Sequence, residues 1–400
     1  MKVTQAYELV NNSTKQFLGE NVILNNDLSN IVDIGKELFT ATSVENYTKA
    51  LVDQIGKMVF VNRPYMGSVP SVLMDTWEFG SVLEKVSIEM PEATQNESWE
   101  LVDKAVYEQD IFYKPTVSVK FFNSKVTFEI PFSICEEQVK SAFTSPTQMN
   151  SFLSAIMTAV ENSMQVKLDS LIMDTIDNMI AHTIKAEYGT AALGSKSTVK
   201  AVNLLHEYNA TVTTPIKAAD ALTNPDFIRF ASYRMGLYEK RLQTMSKLFN
   251  IGGKARHTSA DRLHIALLSE FAAAANVYLQ SDTFHNEFTK LPNAETVAYW
   301  QGSGTDFGFG NTSSIDVKID VDGTPTEVKA SGILGCMWDR YALGVNYFNR
   351  RTRSHVNNKA EFINNWAKMD ASYFNDLNEN FVVFFIADAD GAGQGEQGTL

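Results

Sequence analysis

Cysteine is nearly absent from this chain: Cys135 and Cys336 are the only two in 400 residues. One pair so far apart builds no disulfide framework, and both positions read as buried thiols suited to a reducing compartment. Long apolar runs are missing as well, and no window reaches the roughly 18 to 20 consecutive apolar residues of a membrane span. The first residues, MKVTQAYELVNNSTKQF, hold no apolar stretch of signal-peptide type. The expectation is a chain that works in water inside a cell. Positive charge is scarce, with Lys+Arg 34 against Asp+Glu 47 and a formal net charge of -13. That balance excludes a general nucleic-acid coat, which needs clustered cations to neutralise phosphates. The six histidines include no HExxH pair and have no cysteine partner at zinc spacing. Neither a metal nor another cofactor is expected.

What is present is a globular composition, 44% hydrophobic and 20% charged, enough apolar side chain for a sizeable core. At roughly 150 residues per domain, two or three domains follow. Residues 1–41 carry scattered apolar positions without a sustained period and read as an N-terminal arm. At Thr42, a capping box with Glu45 predicts a short helix to about Lys57, and the segment 42–76 reads as that helix with a connector. From about Trp77 the period becomes two. Val86, Ile88 and Met90 form one run, Val117, Val119 and Phe121 a second, and Val126, Phe128 and Ile130 a third beyond a turn or bulge at Asn123–Lys125. Residues 77–132 therefore read as a long β excursion of strands with one wet face, interrupted by the acidic stretch PEATQNESWELVDKAVYEQD. Such an excursion is marginal alone and leans on something else.

Ser145-Pro146-Thr147-Gln148 combines an N-cap, a Pro at the first helical position and a Gln at the third. Apolar residues then recur at steps of three and four from Leu153 to Ile180, predicting a helix over 146–183 about 55 Å long. It lacks coiled-coil flanking charges and reads as a spine for sheets. Asn224-Pro225-Asp226 opens another helix, and a third is expected over Ser259 to about Leu279. Asp322-Gly323 marks a hairpin after the alternating Ile315, Val317, Ile319 and Val321. Strands are expected at 331–338 and 343–348, a mixed helix from Lys359 to Ala371, a strand from Phe381, and a frayed tail over 389–400. Helices and antiparallel strands without a βαβ rhythm make the fold class α+β.

No catalytic constellation stands out. Gly189 to Ser197 fails the phosphate-loop spacing by one residue, with Ser195 where Lys is required, and reads as a flexible connector. Ser197-x-x-Lys200 fits a serine–lysine pattern common by chance. The Gly-rich stretch 301–314 has the wrong spacing for a dinucleotide fingerprint. An α+β hydrolase or transferase using the Gly-rich loop 301–310, with Asp306 as the position whose mutation would test it, is the alternative from another function class. Arg350, Arg351 and Arg353 form the one basic cluster. It reads either as a solvated face or as a patch meeting the acidic excursion of a neighbouring copy, where charge sets register.

The order of parts resembles the major capsid protein of tailed double-stranded DNA bacteriophages. The likeness is carried by GILGCMWDRYALG, in which Asp339, Arg340, Ala342, Leu343 and Gly344 match and Tyr341 stands where an acidic residue is expected. Further likeness lies in Arg351-Thr352, Asn357, Lys359, Asn365 through Tyr373, Asn380 to Phe384, and Ser281 through Trp300. The resemblance implies the Hong Kong-type capsid fold. In it, 77–132 is an extended loop overlapping the next subunit, 133–198 with 326–388 form a peripheral domain, and 199–325 form an axial domain. It implies a non-enzymatic subunit of pentamers and hexamers, working with scaffolding and portal proteins. The shell would assemble in the host cytoplasm, become part of the virion and enclose DNA without sequence-specific or membrane binding. An encapsulin-type shell around protein cargo is the runner-up. The subunit-interface set is Glu97, Trp99, Glu100, Asp103, Arg340, Arg350, Arg351 and Arg353.

Overall fold

The computed structural model describes residues 3–18, 24–25, 28–42, 46–51, 69–74, 83–91, 93, 96, 98, 100–107, 110–142, 145–280, 294–300, 313–321 and 323–389. Expectations for Glu45, Glu97, Trp99, residues 281–293, the Gly-rich stretch 301–312 with Asp306, and residues 390–400 lie outside them.

The helices are α1 (Val3–Leu18), α2 (Ile31–Ala41), α3 (Glu136–Ala142), α4 (Pro146–Tyr188), α5 (Leu204–Asn209), α6 (Ala218–Ala221), α7 (Pro225–Leu242) and α8 (Ser269–Gln280). The strands are β1 (Leu83–Ile88), β2 (Val117–Phe122), β3 (Lys125–Cys135), β4 (Ala201–Asn203), β5 (Leu263–Leu268), β6 (Glu295–Val297), β7 (Ile315–Val321), β8 (Thr324–Ala330), β9 (Ile333–Asp339), β10 (Leu343–Asn357), β11 (Phe362–Asn375) and β12 (Phe381–Phe385). The α+β class is the observed one.

The spine helix α4 starts where its cap dictates, with the Ser145 side chain accepting from the Gln148 N–H at 3.2 Å. It runs 43 residues, about 64 Å at helical rise. Beyond Met149, burial follows a stripe through Val160, Met164 and Leu168, then widens around the helix from Leu171 to Ile184. That widening reflects sheets on more than one side. Residues 161–168 lie against Tyr347, Arg350 and Met369 of the three-stranded sheet β10-β11-β3. Farther along, the Thr175 carbonyl accepts from the Asn375 side-chain amide. At its end Tyr188 meets Phe385 edge-on, with ring centres 5.8 Å apart.

Phe385 belongs to the five-stranded sheet β4-β12-β9-β5-β6, whose middle strands β12 and β9 are wholly buried runs, as expected for strands covered on both faces. Gly335 allows its close packing: a Cβ there would run into the Leu267 side chain and the Ala266 carbonyl of β5. The β7–β8 hairpin turns at Gly323, whose φ of 79° suits a residue without a side chain.

Several sequence expectations are corrected. Residues 1–41 hold two helices, α1 and α2. Val10, Leu28, Ile31, Ile34 and Leu38 join Tyr47, Leu51, Ile134, Val139 and Met149 in a second small core. Thr42 closes α2, donating its N–H to the Leu38 carbonyl, whereas the short helix expected after it is present over residues 46–51. The helix expected over 259–279 is strand β5 followed by α8. The helix expected over 359–371 is strand β11, held between β10 and β3. The run from Val126 does not continue the excursion's sheet: β3 pairs with β11 whereas β2 pairs with β1. Cys135 is exposed at the end of β3. The connector after α4 is packed, because a side chain at Gly194 would collide with the Asp388 backbone.

Candidate functional site

Strands β1 and β2 form a two-stranded ribbon separate from both larger sheets. Antiparallel register places Glu84 opposite Phe121, Val86 opposite Val119 and Ile88 opposite Val117 on one face, and Lys85 opposite Lys120 and Ser87 opposite Ser118 on the other. A ribbon leaning on its own body would turn the apolar face inward; here the faces are reversed. Val86, Ile88, Val117, Val119 and Phe121 are 57%, 61%, 51%, 45% and 65% exposed. Beyond the ribbon Leu101, Val102, Val106, Phe112 and Tyr113 are exposed too, extending an apolar surface of a kind soluble monomers rarely present.

The polar face rests on the body. Lys85 Nζ donates to Asp376 Oδ2 at 2.7 Å and pairs with Glu379 Oε1 at 2.8 Å; Lys120 Nζ donates to Asp376 Oδ1 at 2.9 Å. Arg256 Nε adds a bond to Glu379 at 3.2 Å. Glu89 pairs with Lys254 farther out, and Phe122 packs on Phe374 with ring centres 5.2 Å apart. Burial pushes the Asp376 carboxyl up, but the bond and charge of Lys85, then the bond of Lys120, outweigh it and hold its pKa below the ordinary carboxylate value.

The basic cluster does not form one patch. A one-residue bulge in β10 between Phe348 and Arg351, with Asn349 at a φ of 50°, interrupts the register. Arg350 is turned over α4, where it lines a small cavity with Glu161, Met164 and Tyr347. Arg351 is taken by Asp370 in two bonds of 2.6 and 3.0 Å, and that guanidinium holds the Asp370 carboxyl below its usual range. Arg353 is exposed opposite Trp366 in the strand register. Arg340 sits apart, exposed in the turn before β10. Glu100 and Asp103 are exposed on the excursion. Arg351→Ala is expected to lower subunit stability by about 1 kcal/mol, the scale of a well-formed, partly buried bidentate pair. An unmoved denaturation midpoint would mean the pair contributes nothing.

Sequence reasoning missed Lys85, Lys120, Asp376, Glu379 and Arg256. Alternation fixes which residues share a face of a strand but not which face meets the body. The lysines in the polar rows of both strands were the available signal.

A family model described as Phi29-like phage major capsid protein matches residues 9–385. The major capsid protein of Bacillus phage GA-1 is 23% identical over 199 residues, covering 46% of this chain and 38% of that protein. The aligned part is thus well under half of that relative's length. Among solved structures, the capsid of Staphylococcus phage Andhra aligns with a TM-score of 0.48 and 10% identity over 81% of this chain and 86% of that chain. The capsid of the cyanophage P-SCSP1u aligns with a TM-score of 0.43 and 9% identity over 80% and 87%. The match of residues 9–385 places this chain in the Phi29-like phage major capsid protein family.

Proposed function

We propose that this chain is the major capsid protein of a tailed phage. It is a non-enzymatic subunit of the Hong Kong-type fold that builds an icosahedral head around double-stranded DNA. The observation that carries this reading is the reversed ribbon, whose apolar face points away from its own body and whose charged face rests on it. That arrangement is poor design for a monomer and sound design for a subunit whose ribbon is covered by a neighbouring copy. Closed symmetry then multiplies each modest contact over the whole particle.

The net charge of -13 suits a container that holds DNA without adhering to it. In this reading the copies are grouped as pentamers and hexamers, scaffolding and portal proteins guide their closure in the host cytoplasm, and the finished shell is part of the virion. The acidic excursion with Glu97, Trp99, Glu100 and Asp103 reaches the adjoining subunit. Arg353 and Arg340 remain as exposed cations for such contacts, whereas Arg351 serves its own subunit. Electron microscopy and analytical ultracentrifugation of the chain, expressed alone and with the neighbouring genes of its locus, are expected to show closed shells or their pentameric and hexameric precursors. A monomer or dimer under every condition would sink the proposal.

A further inference from the structure

Lys85 stands directly opposite Lys120 in the ribbon register, and like charges so placed oppose strand pairing. The opposition is relieved from outside the ribbon. Asp376 takes one lysine on each carboxylate oxygen, and Glu379 takes Lys85 together with Arg256. Both acids are buried and stand in the short segment 376–380 between β11 and β12. That segment is tied down: the Asp376 N–H donates to the Ala342 carbonyl at 2.7 Å, the Glu379 N–H to the Asp376 carbonyl at 3.1 Å and the Asn378 N–H to Asp376 Oδ1 at 3.1 Å. The cations, by contrast, are within reach of water, the Lys85 and Lys120 side chains being 20% and 40% exposed. If the acids were neutralised, the lysines would regain solvation by moving outward with the ribbon while the body stayed folded.

We propose that Asp376 and Glu379 form a latch that fixes the angle of the β1–β2 ribbon to the body in the unassembled subunit. They are positioning residues, acting through Lys85 and Lys120, and they deliver the apolar face already oriented to a second copy. The proposal rests on the shell reading of that face. Its physical benefit is that a pre-set ribbon loses less freedom at the moment of contact than a swinging one.

The test uses the full chain on a Cys135→Ser background, with spin labels at Met90→Cys on the ribbon side and Tyr233→Cys on α7, both exposed positions. Pulsed electron paramagnetic resonance on unassembled subunits is expected to give a narrow distance distribution. It should become at least twofold broader in Asp376→Asn/Glu379→Gln and in Lys85→Gln/Lys120→Gln, and stay narrow in Lys85→Arg. Unlabelled versions of the two broadened variants should lose shell yield tenfold or more in sedimentation, while Lys85→Arg keeps it. The Gln pair alters only ribbon residues, so it decides the matter if the acid variant fails to fold. An unchanged distribution in the ribbon variant overturns the latch, as does a broad distribution with wild-type shell yield. A wild-type chain that forms no shells refutes the shell reading, while the distance distributions still decide whether the ribbon is held.

Discussion

Val86→Lys combined with Val119→Glu is expected to yield a folded subunit that no longer closes into shells. The two residues face each other across the ribbon and both project from its exposed apolar face. The substituted pair can meet as an ion pair within the subunit, which keeps the strands in register. Among the described residues that face is largely exposed, Val86 by 57% and Val119 by 45%, so the thermal unfolding of the subunit should move little. The effect falls on association. Covering each valine contributes about 1 to 2 kcal/mol, and desolvating the new charges against an apolar neighbour adds an opposing term of at least similar size. A loss of about 3 kcal/mol per contact lowers each association constant more than a hundredfold, and a closed particle repeats that loss at every contact. Sedimentation of wild type and variant at equal concentration is the check. Shells at wild-type yield from the variant would mean that the apolar face is not covered on assembly.

Asp177→Asn should stabilise the subunit at neutral and alkaline pH and flatten its stability profile. Asp177 is 3% exposed on α4, and among the described residues its Oδ1 has no hydrogen-bond partner. Burial, then the charge of Asp174, drives its pKa well above 3.8. The sign follows from proton counting. From 3.8 up to the raised value, the native chain keeps a proton that the unfolded chain has released. Stability contributed at this site therefore falls as pH rises through that window and stays low above it. Asparagine has the same shape without the ionisation, so the variant should gain on the order of 1–3 kcal/mol on the alkaline side, the scale of a buried unsatisfied group. Urea denaturation at several pH values measures it. Parallel wild-type and variant profiles would show that Asp177 is solvated or paired in the native chain.

How much of this architecture was readable depended on whether local chemistry and tertiary environment agreed. The starts of α4 and α7 were legible because Ser145-Pro146 and Asn224-Pro225 satisfy helix-end donors locally, whatever packs on them. The β7–β8 turn was legible because Asp322-Gly323 has few other uses. Strand β11 was misread because Asn365 and Ser372 occupy buried positions and hide its alternation. The Asn365 side chain donates to the Ile363 carbonyl of its own strand and accepts from the Ser354 hydroxyl of β10, and the second bond exists only once β10 and β11 are paired. Strand β5 merged with α8 because no Gly or Pro separates Leu268 from Ser269. At the candidate site, the alternation along each ribbon strand was legible, but neither the pairing of β1 with β2 nor the face that meets the body was, since the acids that receive Lys85 lie almost 300 positions later, at 376 and 379.

That distance along the chain also sets an order of events. Strand β12 lies between β4 and β9, so the middle of the larger sheet is filled by residues 381–385, far downstream of β4 at 201–203. Pairings so remote in sequence are slow to form, because the intervening loop must close first. During synthesis the apolar ribbon leaves the ribosome long before either Asp376 or Phe381. A nascent chain therefore carries the apolar ribbon before the completed sheet or the acids that pair with its lysines have been made. Only the finished polypeptide meets both conditions. On the latch proposal, the ribbon acquires its set angle only after residues 376–385 have been made, so aiming of the apolar face and completion of the larger sheet depend on the same last stretch of chain.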